Sequence, residues 1–187
     1  ESGVWRQILP IATENVIGWS AIMPSKDAPM PAYDPISHRL PSFSSAIPGF
    51  LEGSDTPRDF LERGLDAVYT GERDIKAFVR YDADAARIAA DQASERYRAG
   101  SPLSPVDGMP FGVKDMYDTA DMPTEMGTPI HKGRQPEFDA AHVDALRRGG
   151  AVMLGKTVTS QFAIAGAGPT RNPFDTTRTP GATSSGS

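Results

Sequence analysis

Apolar residues recur at helical spacing in three stretches of the chain, and the residues at the ends of each stretch favour a helix. The first stretch begins at Thr56, a residue suited to cap a helix, and Gly71 is expected to end it. Its apolar stripe consists of Leu61, Leu65 and Val68. The pattern therefore predicts an amphipathic helix over residues 56–71.

Two further helices are predicted by the same reasoning. One lies between Asp82, as the N-cap, and Gly100, as the stop, and its small residues suit close packing against a partner. The other spans residues 136–150, "PEFDAAHVDALRRGG", with acidic residues in its first turn and arginines in its last. The packing face of the former consists of Ala86, Ala89, Ala93 and Tyr97.

Three shorter segments have the composition of strands. They are "IKAFVRY" at residues 75–81, "VDGMPFGVKDMYD" at 106–118, where two glycines interrupt the pattern, and "AVMLGKT" at 151–157. The segment "TSQFAIAG", residues 159–166, is predicted as a short helix or a turn. This alternation of helices and strands predicts an α/β layered fold with a sheet at its centre.

The beginning of the chain differs from the rest. Residues 1–53 are rich in proline, and a segment such as "APMPAYDPISHRLP" cannot hold a helix. We expect a proline-rich N-terminal extension over residues 1–53 that wraps over the surface of the body, and a domain over residues 54–187. Regular structure is expected to begin at Ser54.

Composition excludes several classes of function. The net charge of −5 argues against a nucleic-acid partner, which would favour a basic patch. No run of about 18 apolar residues is present, so a membrane partner is not expected. The absence of cysteine removes thiol nucleophiles, disulfides and thiolate metal sites. We expect a soluble protein, with a cytoplasmic location favoured over secretion.

Two motifs are set aside. "GAVMLGKT", residues 150–157, satisfies the phosphate-loop pattern, but its four middle residues are apolar and belong in a strand rather than an open loop. His38, His131 and His142 stand far apart in sequence, and His142 has no second ligand one helical turn away. Neither a nucleotide, a metal nor any other cofactor is therefore expected.

A lysine at a strand end is the third candidate. Lys114 in "FGVKDM" follows strand-like residues, and it is either a surface lysine beside Asp115 or a general base. A lysine acts as a base only in its neutral form, which burial and neighbouring dipoles favour. The motif by itself leaves both interpretations open.

The order of several motifs around Lys114 resembles that of the amidase signature family. These motifs are "KAF" at residues 76–78, "GVKD" at 112–115, the segment 139–155, and "NPFDTTRTPGATSSGS" at 172–187. The resemblance covers residues 54–187. It implies a mixed β-sheet flanked by helices, of which this chain is the N-terminal part.

The resemblance also implies functional residues. Family members hydrolyse amide bonds with a lysine, a bridging serine that follows a cis peptide bond, and a nucleophilic serine. The lysine corresponds to Lys114, and the bridging serine to Thr183, so this chain carries threonine where the family has serine and Ala182 where it has glycine. Ser184 is expected to give a supporting hydrogen bond. The substrate-binding candidates are Ser160, Gly166, Ala167 and Gly168.

The nucleophile is expected near position 207, outside these 187 residues. The expected function is therefore hydrolysis of a small-molecule amide, carbamate or urea-type substrate by the complete protein, with the isolated chain inactive. The rest of the amidase domain is the expected partner, and a homodimer is compatible with the sequence. Two alternatives stay open: the glutamine-hydrolysing subunit of a tRNA-dependent amidotransferase, and a non-catalytic protein that retains the fold.

Overall fold

The computed structural model describes residues 42–164 and 166–187, so the predictions for residues 1–41 lie outside the described residues. The described part contains four α-helices, three β-strands and a short 3₁₀ helix. In chain order these are α1 (Phe43–Glu52), α2 (Pro57–Ile75), β1 (Phe78–Tyr81), α3 (Ala83–Arg98), β2 (Pro110–Lys114), the 3₁₀ helix (Pro129–His131), α4 (Ala141–Arg148) and β3 (Val152–Thr157).

The three strands form one mixed sheet in the order β1-β3-β2, with β1 antiparallel and β2 parallel to β3. Successive side chains of a strand point to opposite faces of the sheet. Val152 and Leu154 accordingly pack with α2 and α3, whereas Met153 packs with Val113 of β2 and Val143 of α4. Helices therefore cover both faces, and the predicted layered α/β fold with a mixed sheet is confirmed.

The predicted start of α2 is confirmed. Thr56 Oγ1 accepts a hydrogen bond from Asp59 N at 3.0 Å, which satisfies one of the free N–H groups of the first turn. Leu61 and Leu65 are fully buried, and Val68 packs against the same core. The apolar stripe of the sequence thus identifies the buried face of this helix.

The predicted end of α2 is wrong. The helix continues through Gly71 to Ile75, and Lys76, in the left-handed conformation with φ 56°, ends it. A glycine inside a helix costs only about 1 kcal/mol relative to alanine. One more turn places the Glu72 carboxylate where it accepts two backbone N–H groups just beyond the helix, at 3.0 and 2.8 Å. As a result, β1 begins three residues later than the strand predicted at 75–81.

The cap predicted for α3 is also confirmed, because Asp82 Oδ1 accepts from Ala85 N at 2.9 Å. Ala89, which the pattern placed on the packing face, is only partly buried. The helix ends at Arg98, just before the predicted stop. Its buried residues are Ala86, Ala90, Ala93, Ser94 and Tyr97.

The helix predicted over residues 136–150 is about half as long as expected. α4 begins at Ala141, and the acidic residues expected in its first turn lie before it. The preceding residues bond across to another segment instead: Asp139 Oδ1 accepts from Ala120 N at 2.7 Å, and Ala140 N donates to Asp118 O at 2.8 Å. These tertiary contacts hold residues 139–140 out of the helix.

Regular structure begins earlier than predicted, because α1 lies within the stretch interpreted as an extension. Its sixth residue, Pro48, removes a backbone donor from the helix. Aromatic packing offsets this cost: Phe50 contacts Phe43, Phe60 and Tyr97, with ring centroids 5.3–6.1 Å apart. The division of the chain at residue 53 stays a prediction.

Candidate active site

The parallel strands β2 and β3 end side by side, with Lys114 paired to Thr157. The carboxyl ends of parallel strands are common sites for ligands. The last residues of the chain return to this edge, where Gly186 N donates to Val158 O at 3.0 Å and Ser187 Oγ lies 3.2 Å from Thr157 Oγ1. The fold thereby brings the C-terminal segment "PGATSSGS" against the strand ends.

Two of the predicted site residues are in direct contact. Lys114 Nζ donates a hydrogen bond to Thr183 Oγ1 at 3.0 Å, although 69 positions separate the two residues in the sequence. The backbone of Thr183 is also fixed, because its carbonyl accepts from Ser160 N and from Thr159 Oγ1, both at 3.1 Å. Lys114 and Thr183 are each half-buried.

The backbone before Thr183 takes an uncommon conformation. Ala182 has φ 55°, in the left-handed region where glycine is favoured. Every peptide bond within 42–164 and 166–187 is trans, so the cis bond that the resemblance implies before Thr183 is not present here.

The substrate-binding candidates line one cavity of about 260 Å³. Ser160, Gly166, Ala167 and Gly168 form part of its wall, and Thr183 forms another part. Ser160 is 5% exposed, and its hydroxyl has no hydrogen-bond partner among the described residues. A buried polar group without a partner is unusual in a folded protein. A residue of the cavity wall thus carries a buried hydroxyl whose hydrogen-bonding capacity is unused within the described residues.

Two of the predicted catalytic residues do not line this cavity. Ser184 is exposed and does not line the cavity, although it directly follows Thr183. Lys114 reaches the cavity only through its contact with Thr183. Asp115, expected as the neighbour of a surface lysine, is 1% exposed and contacts Lys156 rather than Lys114.

Sequence reasoning missed this buried pair. Lys156 is fully buried, and its Nζ lies 3.4 Å from Asp115 Oδ1. Burial lowers the pKa of Lys156 and raises the pKa of Asp115, and in each case the charge of the partner opposes the effect. The signal was a lysine within the apolar strand "AVMLGKT", where a charged side chain requires a partner.

The structure supports the interpretation of "GAVMLGKT" as a strand, since all six residues of β3 are buried. No group of three His, Asp or Glu side chains within residues 42–164 and 166–187 is arranged to hold a metal ion. None of the helices in the part of the chain that the structure describes is long and apolar enough to cross a membrane. Within the segment predicted as a helix or turn after β3, residues 162–164 form a turn, with Phe162 and Ala163 at positive φ.

The chain matches the family model described as Amidase over residues 59–187, more than half of its length. The chain therefore belongs to the amidase family. The match begins within α2 and includes both Lys114 and Thr183. The α/β fold and the contact at the strand ends agree with this assignment.

Individual relatives support the same family assignment. The chain is 40% identical over 129 residues to a glutamyl-tRNA(Gln) amidotransferase subunit of Acidothermus cellulolyticus, covering 66% of this chain and 26% of that protein. The corresponding subunit of Salinispora tropica is 36% identical over 156 residues, which is 79% of this chain and 32% of the relative.

Among solved structures, native peptide amidase of Stenotrophomonas maltophilia superposes with a TM-score of 0.73 at 26% identity. The match covers 81% of this chain and 34% of that enzyme. The chain thus spans about a third or less of the length of these three relatives and covers only part of the amidase domain.

Proposed function

We propose that the full-length protein hydrolyses the C–N bond of a small-molecule carboxylic amide, or of a carbamate or urea-type analogue. The observation that carries the proposal is the 3.0 Å contact between Lys114 Nζ and Thr183 Oγ1. Amide hydrolysis by a serine nucleophile requires a base that removes the proton of the attacking hydroxyl. A lysine linked to a second hydroxyl can serve as that base through a relay.

In this mechanism, neutral Lys114 takes the proton of the Thr183 hydroxyl, and that hydroxyl takes the proton of the nucleophilic serine. The serine oxygen attacks the amide carbonyl, the C–N bond breaks, and the relay returns a proton to the leaving amine. Water then releases the acid and regenerates the serine. The nucleophile is supplied by a part of the protein outside these 187 residues, so the isolated chain is expected to be inactive.

The cavity beside Thr183 is the proposed substrate site. The Ser160 hydroxyl, which is buried and has no partner among the described residues, would bond to a polar group of the substrate. Gly166, Ala167 and Gly168 carry small or no side chains and leave room in the cavity wall. Ser184 is proposed only as a supporting hydrogen-bond group, since it is exposed in this chain.

The relay is tested by comparing Thr183→Val with Thr183→Ser in the full-length protein, with hydrolysis of simple aryl amides as the assay. Valine preserves the branched shape and removes the hydroxyl, so kcat should fall by about 10²–10⁴-fold. Serine retains the hydroxyl and should retain activity. Lys114→Ala should cause a loss as large as that of Thr183→Val. If Thr183→Val hydrolyses the amide at the parent rate, the proposed relay is wrong.

The second candidate function is that of a glutamine-hydrolysing amidotransferase subunit. Its support is the 36–40% identity to relatives named as subunits of glutamyl-tRNA(Gln) amidotransferase. Such a protein would act with partner proteins in the cytoplasm, whereas a free amidase would need none. Glutamine hydrolysis that appears only when the partner proteins are added would favour this candidate. Hydrolysis of aryl amides by the purified protein alone would favour the first.

A further inference from the structure

The fully buried lysine of β3 takes no part in the proposed relay, yet it makes several hydrogen bonds. Lys156 Nζ donates to Tyr117 O at 2.7 Å and to Thr124 Oγ1 at 2.6 Å, with Thr119 Oγ1 at 3.4 Å. Asp115 Oδ1 lies at the same 3.4 Å distance. All four groups belong to the loop of residues 115–126, which begins directly after β2. One ammonium group on β3 therefore holds this loop at several points.

A change of register in the sheet puts Lys156 on the face toward this loop. β2 and β3 pair Phe111 with Met153, but the next pair is Gly112 with Gly155, so Leu154 is an extra residue in β3. Such a bulge shifts the alternation of side chains. As a result, Lys156 is paired with Val113, whose side chain lies on the α4 side of the sheet.

The loop that Lys156 holds directly follows Lys114, the last residue of β2. The carbonyl of Lys114 accepts from Met116 N at 2.7 Å and from Tyr117 N at 3.0 Å. The next residue is held from both sides: Asp115 N donates to Thr157 O at 2.9 Å, and the Asp115 carboxylate accepts from Glu125 N. These hydrogen bonds fix the backbone on the C-terminal side of Lys114. Two of the residues involved, Asp115 and Tyr117, also contact Lys156.

The other end of this loop touches the wall of the cavity. Met126 O accepts from Phe162 N at 2.9 Å. Gly127, the next residue, packs closely against the backbone of residues 159 and 160. A Cβ atom at Gly127 would lie 2.7 Å from Thr159 O and 3.1 Å from Ser160 O. A displacement of the loop would therefore reach both Lys114 and the segment that carries Ser160.

Stability alone does not explain a buried ion pair at this place. Removing two charges from water is costly, and apolar residues of similar volume often give equal or greater stability. We propose that Lys156 is a positioning residue: by fixing the loop of residues 115–126, it holds Lys114 at hydrogen-bonding distance from Thr183. This inference rests on the proposed function, because it concerns the geometry of the proposed relay.

Three variants of the full-length protein test the proposal. Lys156→Met removes the ammonium and leaves the Asp115 carboxylate buried without its partner. The double variant Lys156→Met/Asp115→Asn removes both charges and restores most of the lost stability. The matched control is Arg96→Met. Asp107 is 0% exposed, and its carboxylate accepts a hydrogen bond from Arg96 Nε at 2.9 Å, so this variant also leaves a buried carboxylate without its cation. Asp107 precedes β2 and lies near the strand end opposite to Lys114.

The measurements are kcat, KM and the thermal unfolding midpoint, with activity assayed well below every midpoint. Lys156→Met and the double variant should each lower kcat by about 10²-fold, because a displacement of about 1 Å at a catalytic group has effects of that size. KM should change by a smaller factor than kcat, because none of the residues that bond to Lys156 lines the cavity. Arg96→Met should lower the unfolding midpoint as Lys156→Met does but leave kcat within about twofold of the parent.

The proposal is overturned if the double variant recovers kcat together with the unfolding midpoint, because Lys156 would then act only on stability. If Lys156→Met does not fold, the double variant, which has no unpaired buried charge, decides the question in the same way. Lys114→Ala is measured in parallel. A loss of activity in Lys114→Ala with parent kcat in Lys156→Met rejects only this inference, whereas parent activity in Lys114→Ala rejects the proposed function itself.

Discussion

Gly186 lies where no side chain can be accommodated, and its replacement by alanine gives the sharpest test of how the C-terminal segment packs. A Cβ atom at this position would lie 2.1 Å from Ala77 O, 2.4 Å from Val158 N and 3.0 Å from Thr157 Cβ. The first two atoms belong to the backbone at the strand ends, so they cannot rotate away. The φ of Gly186 is not in the left-handed region, so the effect of the substitution is steric.

The size of the displacement follows from these distances. Real Cβ atoms essentially never approach within 3.0 Å of such atoms, so the segment must move by about 0.9 Å to relieve the closest contact. Because Thr183 lies in the same segment, we expect the movement to lengthen its contact with Lys114 from 3.0 Å toward the limit of a hydrogen bond. We expect Gly186→Ala to destabilise the protein by about 1–3 kcal/mol, the usual cost of overpacking. We also expect kcat to fall by about 10²-fold.

The assay combines denaturant unfolding with amide hydrolysis by the full-length protein. Gly64→Ala is the matched control, because Gly64 lies on the exposed side of α2 and a Cβ atom there would have no neighbour within 4 Å. That substitution should raise stability by about 0.5–1 kcal/mol and leave kcat unchanged. If Gly186→Ala keeps both the stability and the kcat of the parent protein, the close packing of the C-terminal segment on the strand ends is refuted.

Two further predictions concern the helices. Arg87, with Arg58, lowers the pKa of Glu62 from 4.5 to about 2, so its ion pairs stabilise the fold above pH 4.5 and are lost as the pH falls toward 2. In urea unfolding measured across that range, Glu62→Gln should weaken the pH dependence of stability, and a curve parallel to the parent's would contradict the assignment. Asp82→Ala should cost about 1 kcal/mol, since it removes the cap of α3. Asp82→Asn, which retains an acceptor, is the control, and an equal loss in both variants would rule out the capping role.

Local patterns in the sequence were sufficient for much of the fold. Thr56 and Asp82 cap their helices as predicted, because a cap depends on a side chain and an N–H group only three residues apart. Leu61 and Leu65 are buried as their spacing indicates. The predictions were wrong where contacts between distant residues determine the secondary structure. Aromatic packing stabilises α1 in spite of Pro48, and the segment before α4 bonds to residues 118–120 instead of extending the helix.

For the candidate site too, local motifs indicated the residues, and contacts between distant segments determined the geometry. The motifs "GVKD" and "PGATSSGS" drew attention to Lys114 and Thr183, but their roles were implied by resemblance alone. The structure adds the 3.0 Å contact between them and the buried hydroxyl of Ser160 in the adjoining cavity. Lys156 was overlooked because its partners lie 32–41 residues earlier in the chain, beyond the reach of any local pattern.

The sequence by itself determined the α/β class, the capped helix starts, the buried strand β3 and the motifs of the amidase family, since each depends on residues within a few positions of one another. Only the tertiary structure decided that Lys114 and Thr183 touch, that Ala182 takes a left-handed conformation, and that Lys156 holds the loop after β2. The physical reason is that hydrogen bonds and packing between distant segments depend on distances of a few tenths of an ångström, which are set only when the strands pair and the C-terminal segment packs on their ends.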